Sequence, residues 1–411
     1  MVEEDTGDII DTAVFQRNLK VEDRLNVKLN YIETPARGAD PGFKNKVSAS
    51  VMTGDFAYDL GAAYGMCISS CAVASLLFNL REVDHVDLDM PWYYDSAIYA
   101  GTFGNAVYYT AGDISYSALA RMSGVFFNWA FINDYRLDNP YDIVLNGNWT
   151  MDVMLEMIKD VYVDVNNNGK KDQDDIFGML CAHDQIQCTY YAGGFRFVDL
   201  DEKNIPKISD DTGHERVFML IDKWIEVFKS TGFKGDIDVP TIFVTGRSLF
   251  YVYPLGFVTE GALRNSEVKY GFIPQPKVDD AQKEYYASVT NAVTLWAVPL
   301  VVYDHARSGA LLECLASEGH RTVTPSVFEV AYKVKYNNDE SNQQAHIFDI
   351  LRKNVRFDLG KIFSNSMGGL PNSMYADNIW NGNNTYASKL ASNKRVLDRY
   401  MQKILSELVI E

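Results

Sequence analysis

Oxygen-bearing side chains recur at a regular spacing between residues 164 and 175. Asp or Asn stands at alternate positions, then comes Gly169, and an acidic residue closes the segment. This spacing is typical of a calcium-binding loop, because alternate side chains turn toward one centre and the glycine permits a tight turn. The predicted ligands, one of them through a main-chain carbonyl, are Asp164, Asn166, Asn168, Lys170, Asp172 and Asp175. Because all of them come from one closed loop, we expect the calcium ion to be structural.

Two features of this loop differ from a helix–loop–helix calcium site. Its last position is Asp175 rather than Glu, and the shorter side chain is less suited to bidentate binding. An amphipathic helix is predicted before the loop, but the apolar run at 176–180 predicts a strand after it. The alternative interpretation is a polar, Asn-rich turn that caps itself through hydrogen bonds from side chains to the backbone.

Motifs for common enzymatic chemistry are absent from the sequence. It contains no phosphate-binding lysine loop, no G-x-G-x-x-G after a strand, no H-E-x-x-H and no G-x-S-x-G. The six histidines are scattered singly, and only His183, beside Asp184 after a predicted strand, is expected to contact a ligand. The acidic residues do not single out a glycosidase pair. These observations favour a binding protein over an enzyme.

The positions of apolar residues predict helices and strands that alternate along the chain. We expect helices at 12–26, 42–53, 67–80 and 215–230, and strands at 27–32, 56–60, 125–128, 176–180 and 246–254. This alternation is typical of an α/β fold built on a parallel sheet. In such sheets ligands lie at the carboxyl ends of strands, which is where Tyr64 falls, in the turn after a predicted strand.

Length and composition limit the classes of function. A chain of 411 residues is long enough for two domains or two lobes of one unit. A net charge of −17 argues against binding to nucleic acid or to an anionic membrane surface. Aromatic residues make up 13% of the chain, which suits a cleft that stacks on the flat faces of sugar rings.

Cysteines and the amino terminus bear on the cellular compartment. The five cysteines, at positions 67, 71, 181, 188 and 314, indicate buried free thiols rather than a disulfide framework. The first twelve residues are rich in acidic side chains and lack the basic and apolar regions of a secretion signal. Either the protein is cytosolic, or its signal has been replaced by a start codon.

A series of segments, in one order along nearly the whole chain, carries a resemblance to a known family. They include YDLGAAYG, NLREVDHVDLDMPWY, YYTAGDIS, NGNWTMDVMLEMIKD, GRSLFYVYPLG and YGFIPQPKVDDAQKEYY. Together they resemble the extracellular solute-binding proteins of carbohydrate ABC transporters, the class of the maltose-binding protein. The resemblance implies an α/β, two-lobed periplasmic-binding-protein-like fold of type II. Each lobe would be a mostly parallel sheet flanked by helices, with the ligand cleft between the lobes.

The resemblance also implies where the lobes begin and end. The first lobe would contain residues 1–112 plus 292–324, and the second residues 113–291 plus 325–411. The chain would cross between them near residues 110–115, 291–296 and 323–325. Closure of the lobes on a ligand would be a hinge motion.

Ligand contacts and partners follow from the same resemblance. The ligand-binding residues that it implies are Tyr64, Asp113, His183, Asp184, Tyr253 and Trp380. The aromatic residues would stack on sugar rings, and the polar ones would bind hydroxyl groups. We expect a monomer that delivers a sugar or oligosaccharide to an ABC permease, outside the cytoplasm, as a periplasmic protein or a cell-surface lipoprotein. The alternatives are an extracellular glycan-active enzyme, or a binding protein that supplies another small solute to a sensor.

Overall fold

The computed structural model describes residues 4–34, 38, 40–235, 239–259, 261–333 and 341–409. Its helices are α1 Ile9–Leu25, α2 Gly42–Thr53, α3 Gly65–Val73, α4 Asp95–Ala100, α5 Ser117–Ala120, α6 Trp129–Asp134, α7 Pro140–Leu145, α8 Met151–Ile158, α9 His183–Ala192, α10 Glu215–Lys229, α11 Val239–Val244, α12 Gly261–Arg264, α13 His305–Lys333, α14 Ser341–Lys353, α15 Leu359–Ile362, α16 Leu370–Trp380 and α17 Tyr386–Leu408. Its strands are β1 Gly61–Tyr64, β2 Thr102–Phe103, β3 Ala106–Val107, β4 Ser123–Asn128, β5 Tyr162–Val163, β6 Ile176–Cys181, β7 Val198–Leu200, β8 Pro206–Ile208, β9 Phe233–Lys234, β10 Ser248–Pro254, β11 Tyr270–Ile273, β12 Ala287–Ser288, β13 Thr294–Ala297 and β14 Val355–Arg356.

The strand predicted at residues 27–32 is wrong. Helix α1 ends at Asn26, which has a left-handed backbone conformation, and the amide of Val27 bonds back to the carbonyl of Glu22. Exposure alternates along 27–32, as the sequence pattern suggested, yet these residues pair with no strand among the described residues. Alternation indicates a half-buried extended segment, but a strand also needs a neighbour to supply its hydrogen bonds.

The larger sheet has six strands, in the order β11-β4-β10-β6-β5 with β9 also paired to β6. Strand β6 runs parallel to β10 and to β9, but β4 runs antiparallel to both of its neighbours. The expectation of mostly parallel sheets is therefore corrected to a mixed sheet. A helical crossover between neighbouring strands imposes the parallel direction. Strand β4 is instead reached by a long segment that begins beside β13, in a different sheet.

The described residues also form four two-stranded sheets, and in one of them β1 pairs with β13, antiparallel, so that Tyr64 lies opposite Thr294. Helices α1 and α13 pack together beside it, and buried side chains from both belong to a separate apolar cluster with Val21 and Leu312. The apolar cluster around α1 and α13 is therefore distinct from the one that contains the buried side chains of the larger sheet. All five cysteines are buried free thiols, which confirms that prediction.

The first two predicted crossing segments lie side by side. Thr110 and Trp296 exchange backbone hydrogen bonds of 2.9 Å, and Met122 forms a bridge with Val289. The third predicted crossing falls inside α13, which continues through Pro325. The exact lobe boundaries stay a prediction, and the predicted lobes include residues 1–3 and 334–340, outside the described part of the chain.

Candidate functional site

Two strand ends bring predicted ligand residues to one edge of the larger sheet. Val252 of β10 pairs with Cys181 of β6, and the two strands are parallel. Tyr253, at the end of β10, and His183, just after β6, therefore lie at the same carboxyl edge. Tyr253 is half-buried, and its ring stacks on Tyr251 with centroids 4.9 Å apart.

Helix α16 adds an aromatic ring and a carboxylate to this edge. The ring centroids of His183 and Trp380 are 5.1 Å apart at 80°, and Nε2 of His183 lies 3.2 Å from Oδ1 of Asp377. Asp377 and Trp380 are three residues apart in α16, so both face the same neighbour. Sequence reasoning missed Asp377, although its spacing from Trp380 was a usable signal.

The side chains of this cluster are exposed enough to contact a ligand. The side chains of His183 and Asp377 are 42% and 41% exposed, so each retains surface for a further hydrogen bond. Trp380 is half-buried, and one edge-to-face contact, with ring centroids 5.5 Å apart, supports it from Phe228. Asp184 is exposed in the first turn of α9, where its carboxylate accepts a hydrogen bond from Gln185. A ring to stack on, an imidazole and two carboxylates are groups that can bind a polyhydroxyl compound.

Polar, half-buried residues connect this cluster to Tyr64. Gln187 lies one turn after His183 in α9, and its amide oxygen accepts a hydrogen bond of 3.3 Å from Asn291. Asn291 precedes β13, whose Thr294 lies opposite Tyr64. All five side chains named here are half-buried rather than enclosed. Tyr64 therefore lies on the strand pair that follows Asn291, and Asn291 is hydrogen-bonded to the helix that begins at His183.

Asp113 lies apart from these residues. Its side chain is 2% exposed and accepts hydrogen bonds from Nη2 of Arg352 at 2.8 Å and from His320 at 2.5 Å. His320 belongs to α13 and Arg352 to α14, so the carboxylate joins the first crossing segment to two helices. Its partners are protein side chains, and we leave Asp113 out of the proposed ligand site.

The candidate calcium loop is closed by hydrogen bonds of its own. Oδ2 of Asp164 accepts a bond of 2.9 Å from the amide of Gly169, whose φ is +71°. Oδ1 of Asn168 accepts one of 2.7 Å from the amide of Lys170. Asp175 is fully buried and accepts bonds from the amide of Val165 and from two other donors. These are the bonds of a self-capping turn.

The donor set of this loop is compatible with calcium. Asn166 and Asp172 contribute further oxygens, and the amide of Asn166 contacts the carboxylate of Asp172 at 3.2 Å. A carboxylate or amide oxygen has two lone pairs, and the side chains of Asp164, Asn166, Asn168 and Asp175 each have an oxygen that accepts one bond and can still bind a cation. Oδ2 of Asp172 already accepts two bonds, from the amides of Asn166 and Asn168. In the described part of the chain, however, no three His, Cys, Asp or Glu side chains are grouped as metal ligands.

Comparison with known proteins supports the fold. No protein-family model and no curated protein sequence matches this chain. One similar structure is the ABC substrate-binding protein Lmo0181 from Listeria monocytogenes, solved with cycloalternan. It is 13% identical to this chain, superposes with a TM-score of 0.59, and the match covers 97% of this chain and 96% of that one. A cyclo/maltodextrin-binding protein, solved with maltotetraose, is also 13% identical with a TM-score of 0.59, covering 96% and 92%.

A third solved structure differs in its ligand. UgpB from Mycobacterium tuberculosis, solved with glycerophosphocholine, is 13% identical with a TM-score of 0.57 and covers 98% of both chains. No described helix of the present chain is both long enough and apolar enough to cross a membrane. The likeness over nearly the whole length confirms the resemblance at the level of structure: this chain has the two-lobed α/β fold of the ABC transporter substrate-binding proteins.

Proposed function

We propose that this protein is the solute-binding component of an ABC import system and binds a sugar or oligosaccharide between its lobes. The observation that carries the proposal is the cluster of His183, Asp377 and Trp380 at the carboxyl edge of the larger sheet. An aromatic face and partly exposed hydrogen-bonding groups are the two elements that recognition of a sugar ring requires. In this proposal the ligand extends from this cluster past Gln187 and Asn291 toward Tyr64 of the predicted first lobe.

The solved neighbours support the carbohydrate class. The Listeria protein was solved with cycloalternan and the cyclo/maltodextrin-binding protein with maltotetraose, and both are binding proteins rather than enzymes. We therefore assign this chain no catalytic activity. In this proposal the protein acts as a monomer outside the cytoplasm and delivers its ligand to a permease.

Replacing Trp380 by Ala tests the site. We expect isothermal titration against a panel of neutral mono- and oligosaccharides to find at least one ligand for the wild-type protein. The substitution should weaken that ligand roughly 10- to 100-fold, or about 1.4–2.8 kcal/mol, because it removes the stacking surface.

Tyr303→Ala is the matched control, because this ring is 71% exposed and contacts only Phe56 and Arg307 among the ring contacts of the described residues. It should leave the affinity unchanged. The proposal fails if no sugar in the panel binds, or if Trp380→Ala keeps the wild-type affinity.

We also propose that the loop from Asp164 to Asp175 holds a structural calcium ion. The sequence spacing and the spare lone pairs of its oxygens support this. A ligand that binds only the folded state at 100 times its dissociation constant adds about 2.7 kcal/mol to the free energy of unfolding. We expect calcium to raise the melting temperature of chelator-treated protein, and Asp164→Asn to lose most of that increase.

The control for this experiment is Asp174→Asn, which lies in the same loop but at a position outside the ligand pattern, paired with Arg247. Its response to calcium should match that of the wild-type protein. Equal melting temperatures of the wild-type protein in chelator and in calcium would leave the self-capping turn as the correct interpretation.

A further inference from the structure

A cavity of about 690 Å³ lies between the segment that includes Tyr94 and Tyr99 and the segment at residues 349–356. It shares no lining residue with the proposed sugar site. Its charged lining residues are Arg196, Arg352, Arg356, Lys353, Asp95 and Asp349. The three arginines are half-buried, whereas the lysine and the two aspartates are exposed. The enclosed part of the cavity is therefore cationic, in a protein with a net charge of −17.

Two of these arginines are held by aromatic rings. The guanidinium carbon of Arg196 lies 4.1 Å from the ring centroid of Tyr99, and that of Arg356 lies 4.0 Å from the centroid of Tyr286. Stacking uses the face of a guanidinium group and leaves the N–H groups at its edge available. An oxyanion can accept two of those N–H groups at once. The side chains are thus positioned in advance for such a ligand.

The positive charge of this pair is only partly compensated within the protein, by the buried carboxyl of Asp358, which interacts electrostatically with both arginines, and by Tyr286 beside Arg356. Arg356 forms no salt bridge with a described residue, and both burial and the nearby charge of Arg196 lower the pKa of its guanidinium group. Nη1 of Arg196 is buried without a hydrogen-bond acceptor, and its Nε lies 3.7 Å from the carboxylate of Asp199. Arg352, by contrast, is paired with Asp113. A buried guanidinium N–H without an acceptor costs free energy. Because this N–H is shielded from solvent, an anion would be held by the other N–H groups of the two arginines.

We propose that this cavity binds a small organic anion through a carboxylate or phosphate group held by Arg196 and Arg356. The volume lies within the range of small-molecule sites and exceeds what a single inorganic ion fills. The hydroxyl of Ser96, which donates to the carbonyl of Val355, can still accept a hydrogen bond from the rest of the ligand. This site shares no lining residue with the cluster of His183, Asp377 and Trp380 and adds a second ligand class to the protein.

Calorimetric titration at constant ionic strength tests the proposal. The probes are citrate, phenyl phosphate and the uncharged benzyl alcohol. We expect at least one of the two anions to bind with a dissociation constant below about 1 mM, and benzyl alcohol not to bind. Binding of citrate alone identifies a carboxylate site, and binding of phenyl phosphate alone identifies a phosphate site. The proposal is overturned if neither anion binds at about 10 mM.

Substitutions test whether the anion binds at Arg196 and Arg356. Arg196→Gln and Arg356→Gln should each weaken the anion at least roughly 10-fold, since each removes one charge-assisted contact. Arg307→Gln is the matched control, because this arginine also stacks on a tyrosine, Tyr303, but is exposed and far from the cavity lining. Equal weakening by all three substitutions, or by none, would show non-specific surface binding and overturn the proposal.

Two further measurements keep the test decisive. Should a glutamine variant fail to fold, a crystal of the wild-type protein grown with the bound probe must show that probe beside Arg196 and Arg356. A probe found elsewhere would refute the site. Trp380→Ala should bind the anion as the wild-type protein does, so failure of the sugar proposal and failure of the anion proposal are distinguishable.

Discussion

Replacing Asp113 by Ala is expected to lower the free energy of unfolding by about 1.5–3 kcal/mol, because it removes the buried carboxylate that accepts hydrogen bonds from the half-buried side chains of Arg352 and His320. The carboxylate is 2% exposed and binds Arg352 at 2.8 Å, across 239 residues of sequence, as well as His320. It is also the point where the first predicted crossing segment meets α13 and α14. Urea denaturation followed by circular dichroism would measure the change.

Two controls accompany this experiment. Asp113→Asn keeps an oxygen that accepts from Arg352 but removes the charge, so it should lose less stability than the alanine variant. Asp59→Ala breaks an exposed ion pair with Arg307, whose side chains are 39% and 43% exposed, and should change stability by no more than about 0.5 kcal/mol. A loss below about 1 kcal/mol for Asp113→Ala would contradict the role given to this ion pair.

The second large effect is expected from Gly319→Ala in α13. A Cβ atom at this position would lie 2.0 Å from the backbone carbonyl oxygen of Asp113, so the helix and the crossing segment must move apart. Overpacking against a backbone atom should lower the free energy of unfolding by about 3 kcal/mol. The better helix propensity of Ala should offset about 1 kcal/mol of this loss. We expect a clear net loss in thermal unfolding, together with weaker sugar binding if the crossing positions the lobes.

Gly213→Ala is the matched control for Gly319. A Cβ atom there meets nothing within 4 Å, and the backbone of Gly213 is not in the left-handed region. That substitution should leave stability unchanged or raise it slightly. If Gly319→Ala were as stable as the wild-type protein, the close approach of α13 to Asp113 would be incorrect.

The elements that carry the proposed sugar site were largely predictable. The strands at 176–180 and 246–254 and the helix at 215–230 correspond to β6, β10 and α10 within two residues at each end. Each has strong local periodicity or β-branched and aromatic content, which acts over a few neighbouring residues. The prediction of a strand at 27–32 failed because alternation is also a local pattern. The hydrogen-bond ladder of a strand depends on a partner strand elsewhere in the chain.

For the proposed ligand residues, too, local features were predictable and contacts between distant segments were not. His183 and Tyr253 were identified as residues at strand ends, but only the parallel pairing of β6 with β10 makes them neighbours. Asp377 entered the site through the contact between α9 and α16, which no local pattern encodes. Asp113 was predicted to lie at a crossing segment, but its burial depends on Arg352 and His320, which lie more than 200 residues away.

The sequence by itself determined the α/β class, the resemblance to solute-binding proteins, the spacing of the calcium-loop oxygens and the absence of enzyme motifs. These properties depend on residues close together along the chain, or on totals such as charge and aromatic content. Only the tertiary structure decided the mixed strand directions, the cluster around Trp380, the buried carboxylate of Asp113 and the cationic cavity beside Arg356. Each of these depends on contacts between distant segments, and packing free energy selects such contacts for the whole fold at once.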